Sequence, residues 1–256
     1  MELKAKILTE LQEMEGHAGF YYKNLTTGES WGFQEQDVFK AASVTKLPLM
    51  VLVLKDIHEG KRSFRDFITI RDDQKVPGCG TVQHMTGNAV LDVESLGKMM
   101  ISVSDNTATN ALFRCMGGAQ QLLPAFDAMG WTGTRFYREY YADGPDNCFV
   151  PAEMGDLLDK MYHRQLVSPE LDSWLENILK QQQIEHKMCG MLPPNVDVAH
   201  KTGDTSTIAN DVGIVYTREP FVACFAYNGE NRKMHEFEAF IRRTTLALAE
   251  AHGIPE

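Results

Sequence analysis

Residues 47–54 read Leu-Pro-Leu-Met-Val-Leu-Val-Leu, and this is the most restrictive stretch of the chain. A helix built from it is apolar all round, so other segments must enclose it on every side rather than along one stripe. The run is too short to cross a bilayer, which needs ~18 consecutive apolar residues, and nothing downstream approaches that length. The core must therefore be protein, and a chain of 256 residues, 43% hydrophobic and 23% charged, is large enough to supply it as one domain or two intimate lobes. Pro48 is acceptable if the helix begins around Ser43, where first-turn N–H groups have no partner to lose.

The rest of the chain is expected to wrap this helix in two lobes. The first residues carry apolar side chains at Leu3, Ile7, Leu8, Leu11 and Met14, the spacing of an amphipathic helix. Residues 18–24 and 29–33 flank Leu-Thr-Thr-Gly and alternate as a β-hairpin does. Helical spacing then dominates 93–116, 120–129, 151–163 and 168–182, while 196–202, 211–216 and 221–227 read as strands before a last helix over 233–251. The expected fold is mixed α/β: an antiparallel sheet of about five strands drawn from both chain ends, with flanking helices, packed on an all-helical lobe. The whole of 1–256 forms one domain, with the α/β lobe at about 1–45 and 196–256 and the helical lobe at about 46–195. The active site is expected in the crevice between them.

Composition excludes several classes of function. The formal net charge of -10 removes the positive field that would draw nucleic acid or anionic lipid. Charges at Glu2, Lys4, Lys6 and Glu10 leave no room for a secretory signal, so the chain as written reads as cytoplasmic, with export only if a leader has been removed. The five cysteines have no metal-binding spacing and are expected as free thiols. No dinucleotide fingerprint or other cofactor motif occurs, and no oligomerisation surface is legible.

Three short motifs remain, in fixed order: Ser43-Val44-Thr45-Lys46, Ser104-Asp105-Asn106 and Lys201-Thr202-Gly203. Each alone is common, but at ordinary residue frequencies the ordered set arises by chance on the order of once in a thousand such chains. Ser43 near a helix start is a nucleophile in favourable potential, and Lys46, three residues on, projects from the same side. An amine serves as a base near neutral pH only if its proton is destabilised, and the apolar residues after Lys46 supply that desolvation. The polar cluster around Ser104 interrupts an apolar helix and needs buried partners. Ser104 is the candidate proton relay, Asn106 a ligand for Lys46 and for a substrate carbonyl, and Asp105 a local structural group. Lys201 and Thr202 suit an anionic substrate, Gly203 permits close approach, and the Asp204 N–H with that of Ser43 suits an oxyanion hole. His200 is expected to fill the opposite face of its strand.

These motifs resemble those of the serine enzymes that include class A β-lactamases and penicillin-binding proteins. The resemblance extends over nearly the whole chain. It implies an acyl-enzyme on Ser43, with Lys46 and Ser104 carrying protons and a β-lactam or D-amino-acid amide or ester as substrate. Class A β-lactamases also carry a Glu-x-x-Leu-Asn loop whose Glu positions the water that releases the acyl group. Here the loop reads Arg138-Glu139-Tyr140-Tyr141-Ala142-Asp143 and is shorter, with Asp where Asn is expected. Glu139 is the candidate for the water-activating carboxylate; its alternative is a surface ion pair with Arg138. The functional readings are thus a β-lactam hydrolase, a slow-turnover penicillin-binding sensor or trap, and a cytoplasmic esterase or D-amino-acid peptidase.

Overall fold

The computed structural model describes residues 2–229 and 231–255. Helix α1 (Glu2–Glu13) leads into β1 (His17–Asn24) and β2 (Ser30–Phe33), the expected hairpin. Its turn is held by the Asn24 side chain, which accepts from the N–H groups of Thr26 and Thr27, and Gly28 sits at φ +76 where a side chain is disfavoured. The sheet is completed from the other end of the chain by β7 (Val198–Thr205), β8 (Ile208–Val215) and β9 (Phe221–Asn228), all antiparallel in the order β2-β1-β9-β8-β7.

Alternation along β9 separates two cores. Phe221, Ala223, Phe225 and Tyr227 face Ile7 and Leu11 of α1 and Phe237, Phe240 and Ile241 of α8 (Asn231–Ala251). Val222, Cys224 and Ala226 face the opposite way, toward α2 (Lys46–His58) and the helices that follow. Residues 46–54 of α2 are all buried, so the enclosure required by their composition is met. No described helix is long and apolar enough to cross a membrane.

The 93–116 stretch is two helices, α3 (Val93–Ser102) and α4 (Asn106–Cys115), capped by Asp92 and Asp105. Beyond them come α5 (Gly118–Ala128), α6 (Pro151–Tyr162) and α7 (Pro169–Leu179). Strand β7 runs beyond the expected end at 202 to Thr205, and β8 starts at Ile208, so Gly203 lies inside the strand, paired with Asn210. Two small ribbons were not legible: β3 (Phe39–Lys40) with β6 (Cys148–Phe149), and β4 (Phe67–Ile70) with β5 (Ala89–Asp92). Strands of two to four residues are too short to register a period.

Candidate active site

The backbone entering Ser43 is tied down from three directions. Asn210 of β8 donates to the carbonyls of Lys40 and Ala41, the Asn147 carbonyl accepts from the Ala41 N–H, and the Tyr140 hydroxyl donates to the Ala42 carbonyl at 2.7 Å. Ala42 itself lies at φ +44. A 3-10 turn over Ala42–Thr45 then runs without a break into α2, which places Ser43 at the positive end of that helix.

Lys46 is fully buried, and its Nζ donates to three oxygens: the Ser104 carbonyl at 2.6 Å, Ser104 Oγ at 3.0 Å and Asn106 Oδ1 at 2.8 Å. Lys201, equally buried on β7, reaches the same Ser104 Oγ at 3.1 Å and the Thr202 carbonyl at 3.0 Å. One hydroxyl thus bridges two amines from distant parts of the chain. Ser104 pays for this position with a left-handed backbone at φ +56, a strain of order 1–3 kcal/mol held by the surrounding bonds.

Electrostatics follow from this packing. Burial pushes the Lys46 pKa well below its ordinary value, and the Lys201 charge adds to the effect. Among the described residues no carboxylate lies within ion-pair distance of Lys46 Nζ. Lys201 is lowered to about 8, again first by burial and then by the charge of Lys187. Lys187 is itself buried and paired with Asp204, directly after Gly203. Its side chain brings a third ammonium to this region, one that carries no sequence signal.

The edge strand and the serine turn are in contact. A side chain added at Gly203 would lie 2.5 Å from the Ala41 carbonyl and 3.2 Å from Ser43 N, so glycine alone allows this approach. β7 pairs only with β8, so among the described residues its other edge carries no strand. The three motifs are therefore brought together, with Ser43, Lys46, Ser104, Asn106, Lys201, Thr202 and Gly203 in one cluster. Asn106 Nδ2 donates to the Pro77 carbonyl at 3.1 Å. Asp105 accepts from the N–H groups of Thr81, Val82 and Ala108 and holds the 77–82 loop against α4, the structural part expected of it.

The 136–141 loop gives Glu139 and Tyr140 different partners. The Glu139 carboxylate is bound by Arg114 of α4, while Arg138 pairs with Asp146. Tyr140, the next residue, turns inward: its hydroxyl also meets Thr45 Oγ1 at 3.3 Å and the Ser43 side chain, and its ring lies 4.5 Å from Lys46 Nζ. Burial raises the phenol to about 12, so it stays protonated. Asn110 fixes the loop by bonding both the N–H and the carbonyl of Tyr140. An aromatic residue in a polar loop carried no signal for this placement.

A sheet with a helical lobe packed against it, and a buried lysine–serine–lysine array at their junction beneath a serine turn, define a serine hydrolase of the β-lactamase and penicillin-binding protein superfamily. Residues 2–251 match the model of the Beta-lactamase enzyme family, and the chain belongs to that family. It is 24% identical over 230 residues to β-lactamase VEB-1 of Pseudomonas aeruginosa, covering 83% of this chain and 77% of that protein. Among solved structures, the L158E mutant of PBP-A, an acyl-enzyme complex with penicillin G, superposes with a TM-score of 0.91 at 26% identity, over 98% of this chain and 96% of that one. A β-lactamase from Sphaerobacter thermophilus gives a TM-score of 0.88 at 26% identity, covering 98% of each chain.

Proposed function

We propose that Ser43 is acylated by β-lactams or related D-amino-acid amides and esters, and that the acyl-enzyme is released slowly. The observation that carries the first half is the Lys46 amine, buried with no ion-pair partner among the described residues and bonded to Ser104 Oγ. Its depressed pKa favours the neutral amine, which has only two N–H groups, so in that form Ser104 Oγ donates to the Nζ lone pair and the Ser43 proton reaches Nζ through Ser104 as the Ser43 hydroxyl attacks the carbonyl carbon. Ser104 passes a proton from this network to the leaving nitrogen or oxygen. The N–H groups of Ser43 and Asp204 receive the developing oxyanion, while Lys201 and the Thr202 hydroxyl hold a substrate carboxylate.

The second half rests on the 136–141 loop. Releasing the acyl group needs a base beside an attacking water, and the loop presents to Ser43 a protonated phenol, with the neighbouring carboxylate engaged by Arg114. This favours the sensor or trap reading over rapid turnover. A chromogenic β-lactam mixed with the protein distinguishes them: one equivalent of product followed by a plateau supports slow release, and steady release supports a hydrolase. Intact-mass spectrometry across β-lactams and D-alanyl esters reads acylation directly, and absence of any Ser43 adduct across that panel refutes the proposal.

A further inference from the structure

Consecutive residues of a strand face opposite ways, so His200 points away from the cluster that Lys201 enters. Buried at 1% exposure, its Nδ1 meets Asp211 Oδ1 at 2.9 Å, and its Nε2 meets Cys189 Sγ at 3.4 Å. Asp211 is fully buried; desolvation works against its charge, but His200, Lys187 and the Met188 N–H outweigh that and hold its pKa below the usual carboxylate range. An ionised Asp211 accepts the Nδ1–H and leaves the Nε2 lone pair facing the thiol. Glycine at 213, across from His200, makes room: a side chain there would lie 2.5 Å from His200 Cβ.

Cys189 and His200 both line a cavity of about 420 Å³, together with Gln182, Leu192, Pro193 and Val198. That volume lies within the range of small-molecule sites. Nucleophile, base and orienting carboxylate are thus aligned at the wall of a space able to admit a substrate, the arrangement that activates a thiol or hydroxyl in acyl transfer.

We propose that Cys189, His200 and Asp211 form a second nucleophile site, separate from Ser43, that takes an acyl group from small esters or thioesters entering this cavity. Burial and the Asp211 charge keep the resting group a thiol rather than a thiolate. His200 Nε2 therefore accepts the proton as Sγ bonds to the acyl carbon. The ester C–O bond then breaks, and His200 returns the proton to the departing alkoxide, leaving a thioester on Cys189 and a free alcohol.

The test uses the Ser43→Ala protein with 4-nitrophenyl acetate as probe and peptide-resolved mass spectrometry. Cys79 is exposed but lies within electrostatic reach of Lys46 and Lys201, so N-acetylcysteine in the same solution serves as the unassisted reference thiol. The expected result is one acetyl group on Cys189, formed faster than on the reference thiol and slowed about 100-fold relative to it by His200→Gln. No acetyl on Cys189, or an unchanged ratio in His200→Gln, overturns the proposal. If that variant does not fold, Cys189→Ala in the Ser43→Ala background decides: the burst of nitrophenolate should fall by one equivalent, and an unchanged burst overturns the site.

Discussion

Replacing Lys201 by Met tests whether the Lys46 amine is the base. The Lys46 and Lys201 nitrogens bond one hydroxyl at 3.0 and 3.1 Å. They therefore lie within about 6 Å, where at an effective dielectric of about 20 one unit charge disfavours the other by roughly 3 kcal/mol, or about two pKa units. Burial is the larger cause of the Lys46 shift and persists in the variant, so only the repulsion is relieved. The acid limb of the acylation profile should consequently move to higher pH by up to about two units in Lys201→Met. The assay is the second-order rate of acylation between about pH 5 and 9, measured with an uncharged ester so that lost substrate binding does not enter. A penicillin followed in parallel should weaken about 10–100-fold in KM, from the lost charged hydrogen bond. An acid limb that stays in place with the uncharged ester refutes Lys46 as the base coupled to Lys201.

Four further outcomes follow from the same geometry. Ser43→Ala should abolish labelling by a fluorescent penicillin while leaving the circular dichroism and melting transition intact. Glu139→Gln should leave the acyl-enzyme lifetime within about twofold, because Arg114 holds that carboxylate in a partly exposed pair of small worth; a longer lifetime by mass spectrometry would assign the deacylating base to Glu139 after all. Asp105→Ala should cost roughly 2–4 kcal/mol in denaturant unfolding, since three backbone N–H groups lose their acceptor. Between about pH 8 and 10.5 the unfolded chain holds a proton on Lys201 that the folded chain has released, so wild-type stability should rise with pH across that window. Lys201→Met should flatten the rise, as read from unfolding midpoints.

Much of this molecule was written locally. The apolar run 47–54 demanded enclosure, the alternation of 18–24 and 221–227 announced strands, and the ordered triplets named Ser43, Lys46, Ser104 and Lys201, because each depends on neighbours a few residues away. Tertiary structure decided what depends on contacts between distant residues. Only folding brought the 104 hydroxyl between amines from positions 46 and 201, set Gly203 against the Ser43 backbone, buried Lys187 nearby, and joined His200 to Asp211 and Cys189. It also chose between neighbours in the 136–141 loop: Arg114 of α4 drew Glu139 aside, and Asn110 clamped Tyr140 so that its phenol faces the serine turn. A spacing of one residue in a loop fixes no direction, since no repeating backbone geometry orients its side chains, and that choice belonged to the packing of α4.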